Sequence, residues 1–318
     1  MRKTIAAGFM LAFTIAPAFA QSLTSGLPTT ELFRTAAGES ITGVEVDGSS
    51  LYYLLQRNTA STQLVRRSAL DGYTSSTVLF DYGSGAYGSF VKEFGGKLYF
   101  AESSASSLRT YDLATNAVTT LATLGGAYDI DFSGGFGWVS ANPGYAGNQI
   151  FKLDLTSGVT TSVLTSTDYS GPLAFGGTLL YYGSTSYAAS PGTYRYTAGE
   201  INAGGLSLDA GHLWEPNGGS AYFEMLEAQP GFLARTDFSQ ITVQDFITPS
   251  SGVTIATSTD VIGNMASDST GLFVAVTDYN LSPSTDDQSA VFRVVPEPGT
   301  ASLLGLAVGL LGFRRNRK

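Results

Sequence analysis

Read for its alternation of apolar and polar positions, the chain divides into short strands. One pattern keeps returning: an apolar start, a Gly- or Ser-rich turn, then an apolar-aromatic strand. VEVDGSSLYY begins at Val44, VKEFGGKLYF at Val91, IDFSGGFGWV at Ile130, LAFGGTLLYY at Leu173, WEPNGGSAYF at Trp214 and MASDSTGLFV at Met265. Successive starts lie 47, 39, 43, 41 and 51 residues apart, a period that suits units of four short strands. A second element follows in each unit, a strand with one basic residue inside it: LVRRSALDG near Arg66, SLRTYDLATN near Arg109, QIFKLDLTSG near Lys152, TYRYTAG near Arg195, FLARTDFSQ near Arg235 and VFRVV near Arg293. A further β-rich stretch, such as STVLF, VTTLAT, VTTSVLT or ITVQDF, comes next in five units, least clearly in the fourth after Glu200. The sixth has none.

The missing strand is available at the other end of the chain, in TTELFRT at residues 29–35. Pairing it with residues 291–294 joins the two ends by sheet hydrogen bonds and leaves few free edges. The expected fold is therefore all-β, a six-bladed β-propeller over residues 21–295 whose N-terminal strand closes the last blade. A β-sandwich or paired β-domains are the alternative for the same strands. The first unit, with Leu51-Tyr52-Tyr53, then Val65-Arg66-Arg67-Ser68-Ala69-Leu70-Asp71-Gly72 and Thr77-Val78-Leu79-Phe80, resembles the repeats of YWTD and NHL-type propellers.

Both ends read as address labels. Residues 1–20 open with Arg2 and Lys3, run apolar over 5–15 and close on Ala18-Phe19-Ala20, so they read as a signal peptide cleaved between Ala20 and Gln21. At the other end, residues 301–313 are almost wholly apolar and are followed by Arg314, Arg315, Arg317 and Lys318. Such a run suits a short apolar helix held briefly in the inner membrane, its basic end on the cytoplasmic side. Val295-Pro296-Glu297-Pro298, then Gly299, the apolar run and the basic end, resemble the PEP-CTERM sorting signal. That resemblance implies that residues 296–318 are a sorting segment processed by an exosortase, a membrane transpeptidase of exopolysaccharide-making Gram-negative bacteria. The chain is then exported to the cell surface or beyond.

Charge narrows the partners. Between Gln21 and Val295 there are 11 Lys and Arg against 25 Asp and Glu, a net charge of −14. A surface of that sign repels phosphate backbones, which argues against nucleic acid. There is no cysteine, which removes disulfides, thiolate zinc sites and cysteine nucleophiles.

The candidate chemistry is sparse. Links between second and third strands vary in length and, with the fourth-to-first links, belong to one face of a propeller. The latter carry Tyr82, Tyr87, Tyr128 and Tyr169, phenols suited to sugar or peptide contact, and are the expected ligand-binding residues. Asp129 and Asp131 share one strand face and are the candidate metal ligands, with Ca²⁺ the ion they would take. The one histidine, His212, has no G-x-S-x-G elbow to serve, and reads as a partly buried blade residue. The repeated basic residues read as structural, their stems packed on neighbouring strands and their heads paired with acids such as Asp112, Asp154 and Asp237. Two functions follow. The first is a non-enzymatic binding or scaffold protein for exopolysaccharide or a surface protein, without a cofactor. The second is a secreted hydrolase or lactonase using a metal in the central channel.

Overall fold

A computed structural model of the protein describes residues 21–295 apart from 58–60, 103–105, 146–148, 167–170, 185–191, 217–224, 230–231, 245–251 and 279–286. The expected signal segment 1–20 and the apolar sorting helix within 296–318 lie outside the described residues. Among those described, no helix is long and apolar enough to cross a membrane.

The chain begins with two short strands, β1 (Thr24–Ser25) and β2 (Thr29–Arg34). Antiparallel meanders follow, in which each strand pairs with the next. The first comprises β3 (Glu39–Val46), β4 (Ser50–Arg57), β5 (Ser61–Ser68) and β6 (Ser76–Ser84). The second comprises β7 (Val91–Phe94), β8 (Lys97–Glu102), β9 (Ser107–Asp112) and β10 (Val118–Thr123). The third comprises β11 (Ala127–Ser133), β12 (Phe136–Ala141), β13 (Gln149–Asp154) and β14 (Thr160–Thr165). Next come β15 (Leu173–Gly176), β16 (Leu179–Gly183) and β17 (Gly192–Thr197). A helix α1 (Ala198–Ala203) and a short β18 (Leu206–Ser207), which pairs with β14, intervene before β19 (Leu213–Pro216) completes that meander. The fifth is β20 (Met225–Gln229), β21 (Phe232–Thr236), β22 (Gln240–Gln244) and β23 (Val253–Thr257). The last is β24 (Val261–Asp268), β25 (Gly271–Asp278) and β26 (Gln288–Val294). Tight first-to-second turns need left-handed backbone, which explains pairs such as Gly95-Gly96 and Gly134-Gly135, all with positive φ.

β2 supplies the outer strand of the last meander, where the sequence placed it. Thr29 faces Val294, Thr30 faces Arg293 and Arg34 faces Ala290, with a bulge at Leu32. Leu32 and Phe33 pack on the cluster of Ile41, Tyr53, Phe273 and Val291. Beyond the ladder, the Val295 N–H donates to the Pro28 carbonyl at 2.9 Å. The N-terminal segment also reaches one meander further, because β1 pairs with β23, Thr24 opposite Thr257. Two residues are too few for any periodicity, and no local pattern signals that contact.

The first strands of successive meanders touch in a closed cycle: β3 with β7, β7 with β11, β11 with β15, β15 with β20, β20 with β24, and β24 with β3. Apolar clusters fill the wedges between adjacent sheets. Tyr52, Leu64, Phe100 and Tyr111 lie between the first and second, and Trp138, Leu164, Tyr182 and Tyr196 between the third and fourth.

Two expectations are corrected. The segment at Trp214 does not open the fifth unit, because Leu213–Pro216 pairs with β17 as the outer strand of the fourth, Tyr194 opposite Leu213. Its apolar–Gly–apolar spelling mimics the repeat, while the inserted helix and β18 push the true outer strand about one turn signal later. The fifth first-to-second hairpin is instead β20–β21, which puts Arg235 on a second strand, opposite Leu226. The second correction concerns the basic heads. Lys152 sits 3.9 Å from the Phe136 ring centroid, Arg109 bonds Glu102 at 2.6 Å and lies over Phe80, and Arg195 and Arg293 lie over Trp214 and Phe273. Asp112 and Asp154 are occupied otherwise, their carboxylates accepting backbone N–H bonds that close third-to-fourth strand turns. Asp237 accepts in the same way from Ser239 and Gln240, in the second-to-third turn between β21 and β22. The bonds hold the Asp112 and Asp154 carboxyls below the usual carboxylate range.

Candidate functional site

A cavity of about 460 Å³ opens where the first strands meet, lined by Thr42, Ser89, Tyr128, Phe238, Val261, Gly263 and Asn264. That is within the range of small-molecule sites. It lies on the face carrying the fourth-to-first links and the second-to-third turns.

The cavity is made by irregularities in otherwise regular ladders. On β3 the register slips between Ile41 and Gly43, leaving Thr42 as the extra residue. On β11 it slips between Ala127 and Asp129, leaving Tyr128, and on β24 between Ile262 and Asn264, leaving Gly263. A bulge bends its strand and re-aims the side chain it carries. Three first strands thus turn Thr42, Tyr128 and the Gly263-Asn264 pair toward one space. Gly43 permits the bend on β3, since a Cβ there would meet the backbone of Phe90 and Val91 at 3.0–3.2 Å.

Hydroxyl staples fix the rim. Thr42 Oγ1 donates to the Gly88 carbonyl at 3.0 Å, and Ser89 Oγ donates to the Ala127 carbonyl at 2.6 Å. Phe238, in the turn between β21 and β22, has φ +74°, a left-handed conformation unusual for a bulky residue. Neighbours hold it there: its N–H donates to Thr236 Oγ1 at 3.1 Å, and its carbonyl accepts from the Ile262 N–H at 2.7 Å. Asn264 is only 9% exposed, yet its amide has no hydrogen-bond partner among the described residues. Strain and an amide left open to the same cavity make it the candidate site among the described residues.

The strain can be measured. Phe238→Gly is expected to be more stable than Phe238→Ala by about 1 kcal/mol, the reverse of the ordinary preference, because both lose the ring and only glycine relaxes at positive φ. Urea unfolding of the two variants checks this; equal midpoints would mean the turn is unstrained.

Of the residues singled out from sequence, Tyr128 lines the cavity. Tyr82 is 8% exposed and stands against Phe80 and Phe100, its hydroxyl close to where a Cβ on Gly88 would be. It supports the link that carries Ser89. Tyr87 is half exposed on the same link, and Tyr169 lies outside the described residues. Asn264, Phe238 and Thr42 were missed. Nothing in the local spelling distinguishes a bulge residue from its neighbours, although Gly263 inside the run VIGNMAS is the kind of strand glycine that marks one.

Asp129 and Asp131 are brought together on β11 and neither lines the cavity. Their Oδ2 atoms accept the Leu173 and Phe175 N–H groups of β15 at 2.9 and 2.6 Å, and their Oδ1 atoms accept from Ile130 and Phe132. The pair therefore knits the third meander to the fourth, taking up N–H groups that the inner edge of β15 would otherwise leave unpaired. Asp129 is 3% exposed, and burial pushes its carboxyl up to about 7 against the opposing pull of Lys92 and the N–H donors. Lys92 itself pairs with Glu45 on β3 at 3.6 Å. A line of charge thus runs from the first meander across the second to the third. Among the described residues no group of three His, Asp or Glu side chains is placed to hold a metal.

His212 lies at the outer edge. Its Nδ1 meets Asp209 at 3.0 Å, its Nε2 meets Glu200 at 3.2 Å, and its ring stacks on Tyr196. Desolvation opposes its charge, yet the two carboxylates outweigh this and raise its pKa. Glu200 also caps α1 through Thr197. The histidine clamps the helical insertion to the fourth meander.

Residues 294–318 match the PEP-CTERM protein-sorting motif, which implies exosortase-dependent export in a Gram-negative bacterium. No curated protein matches the chain in sequence. Among solved structures, regucalcin, a calcium-binding protein from Agrobacterium tumefaciens, is 16% identical, covering 85% of this chain and 95% of that one with a TM-score of 0.58. A luciferin-regenerating enzyme is 12% identical, covering 86% and 96% with a TM-score of 0.60. Both are β-propellers, and at such identities the likeness is one of fold alone.

Proposed function

We propose that this chain is a six-bladed β-propeller, cut from its signal segment at Gln21 and from its sorting segment by an exosortase. At the cell surface or in the extracellular matrix it acts as a non-enzymatic binding protein whose ligand sits in the channel mouth. The closed cycle of first strands and the pairing of β2 with β26 support the six-bladed count. The observation that carries the binding role is the cavity built by three bulges around the unpartnered amide of Asn264.

Propellers host both binding and catalysis, so the site decides. Regucalcin is a calcium-binding protein and the luciferin-regenerating protein is an enzyme. A metal-dependent hydrolase would need at least three Asp, Glu, Asn or His side chains converging on the channel. Among the described residues, Asn264 is the one of those types that lines the cavity, which favours binding.

Processing is tested on the exported protein. Mass spectrometry of the mature form is expected to find a start at Gln21 and no peptide beyond about Pro298. An intact 314–318 end on that form would remove the sorting half of the proposal. The binding half is tested by ligand titration of the mature protein and of its Asn264 variants.

A further inference from the structure

The hydrogen-bonding state of the cavity wall restricts what can fill it. We infer that the channel mouth takes a neutral sugar residue, an uncharged ring bearing several hydroxyls, seated between Tyr128 and Phe238 and held by Asn264. This rests on the binding role proposed above and names the ligand class for that site.

Each of Thr42 and Ser89 has one hydroxyl hydrogen, and each gives it to a backbone carbonyl, Gly88 and Ala127 respectively. What these two hydroxyls can still offer is lone pairs, so they require donors on the ligand. The Asn264 amide offers two N–H donors and an acceptor oxygen, none of them used within the protein among the described residues. The complementary ligand therefore carries more than one O–H or N–H group and at least one acceptor. Phe238, Val261 and the Tyr128 ring add apolar wall, which a ligand must meet with C–H surface.

Several classes fail one of these conditions. A carboxylate or phosphate would bring acceptors to acceptors, inside a segment whose net charge is −14. A purely apolar ring would bury the Asn264 amide without a partner. A cation would satisfy the lone pairs, but among the described residues no carboxylate lines the cavity to neutralise it. A sugar ring has hydroxyls around its rim and C–H groups on its faces, so it fits both kinds of wall. The site is also preorganised: the bulge fixes Asn264 on β24, and the start of that strand is tied to the Phe238 carbonyl through the Ile262 N–H at 2.7 Å.

The experiment titrates the secreted mature protein with neutral gluco-, galacto- and manno-oligosaccharides, with uronic acid oligomers of the same length, and with tyrosine-containing tripeptides. At least one neutral series is expected to bind, and Asn264→Leu to weaken it about tenfold or more, one charge-free hydrogen-bonding group being removed from a buried position. Leu70→Ser, at a position 97% exposed on a third-to-fourth turn, serves as the control and should bind as wild type. Uronic oligomers or peptides that bind in an Asn264-dependent way would overturn the sugar assignment while keeping the site. Neutral sugars that bind Asn264→Leu as well as wild type would place the ligand elsewhere and overturn the inference. A protein that binds none of the three probes would remove both the inference and the binding role on which it rests.

Discussion

Deletion of residues 21–35 is expected to abolish cooperative folding. The deletion removes β2 and with it the ladder that faces Val294, Arg293, Phe292, Val291 and Ala290. It also uncovers the cluster against which Leu32 and Phe33 pack, where the Phe33 ring lies 5.2 Å from Tyr53 and 4.1 Å beneath Arg67. Thr35 goes too, whose Oγ1 accepts from the buried Ser289 N–H at 2.9 Å. Ladder hydrogen bonds at ~1 kcal/mol each and two apolar side chains at ~1.5–3 kcal/mol each sum to on the order of 5–10 kcal/mol, comparable with the whole stability of an ordinary domain. The newly free edge of β26 is apolar and invites strand addition from other copies. The shortened protein should therefore sediment as aggregates and lack a sigmoidal urea transition. A monomer with an unchanged midpoint would show that the N-terminal strand is dispensable.

That strand could be found from the sequence because the repeats count themselves. Five hairpins announced by an apolar start, a turn and an aromatic strand formed where they were read, and the sixth unit lacked a strand that TTELFRT could supply. The fifth hairpin was misplaced for a physical reason. Turn spelling is local, and Trp214-Glu215-Pro216 followed by Gly218 and Gly219 satisfies the local rule, whereas pairing with β17 is decided by tertiary contact. Helix α1 had a readable capping box in Thr197 and Glu200, but six residues at the end of a strand pattern give too little periodicity to register.

The site was legible by face and not by residue. Loop composition pointed to the side where the cavity opens, and Tyr128 was among the residues named. The residues that shape the cavity depend on register slips of single positions, and a slip depends on what lies across the ladder. Asp129 and Asp131 illustrate the converse. Their spacing placed both on one strand face, as read, but which groups would approach that face could not be known from β11 alone. The N–H groups of β15, more than forty residues on, occupy them.

The burial of Asp129 gives the fold a pH dependence that can be isolated. Its carboxyl is raised from 3.8 to about 7 by desolvation, with Asp131 adding to the rise and Lys92 opposing it. The folded state then binds a proton that the unfolded state has already released. The stabilisation is fully present below about pH 4, declines as pH rises, and is gone above about 7, a loss of ~1.4 kcal/mol per pH unit within the window. Asp47, Asp71, Asp112 and Asp154 are lowered instead, and their contribution is lost only below about pH 4, outside this range. His212 and Asp260 are raised and overlap it in part, so the comparison must be with a variant that leaves them intact. Asp129→Asn keeps an oxygen for the Leu173 N–H and removes the titration. Urea unfolding of both proteins between pH 5 and pH 8 should show the stability of wild type relative to Asp129→Asn falling by on the order of 2–3 kcal/mol, most of it before pH 7. The variant itself should carry a constant cost of ~1 kcal/mol for the second acceptor it lacks. Parallel pH profiles for the two proteins would mean that Asp129 titrates normally, and that the junction of the third and fourth meanders holds an ionised carboxylate throughout.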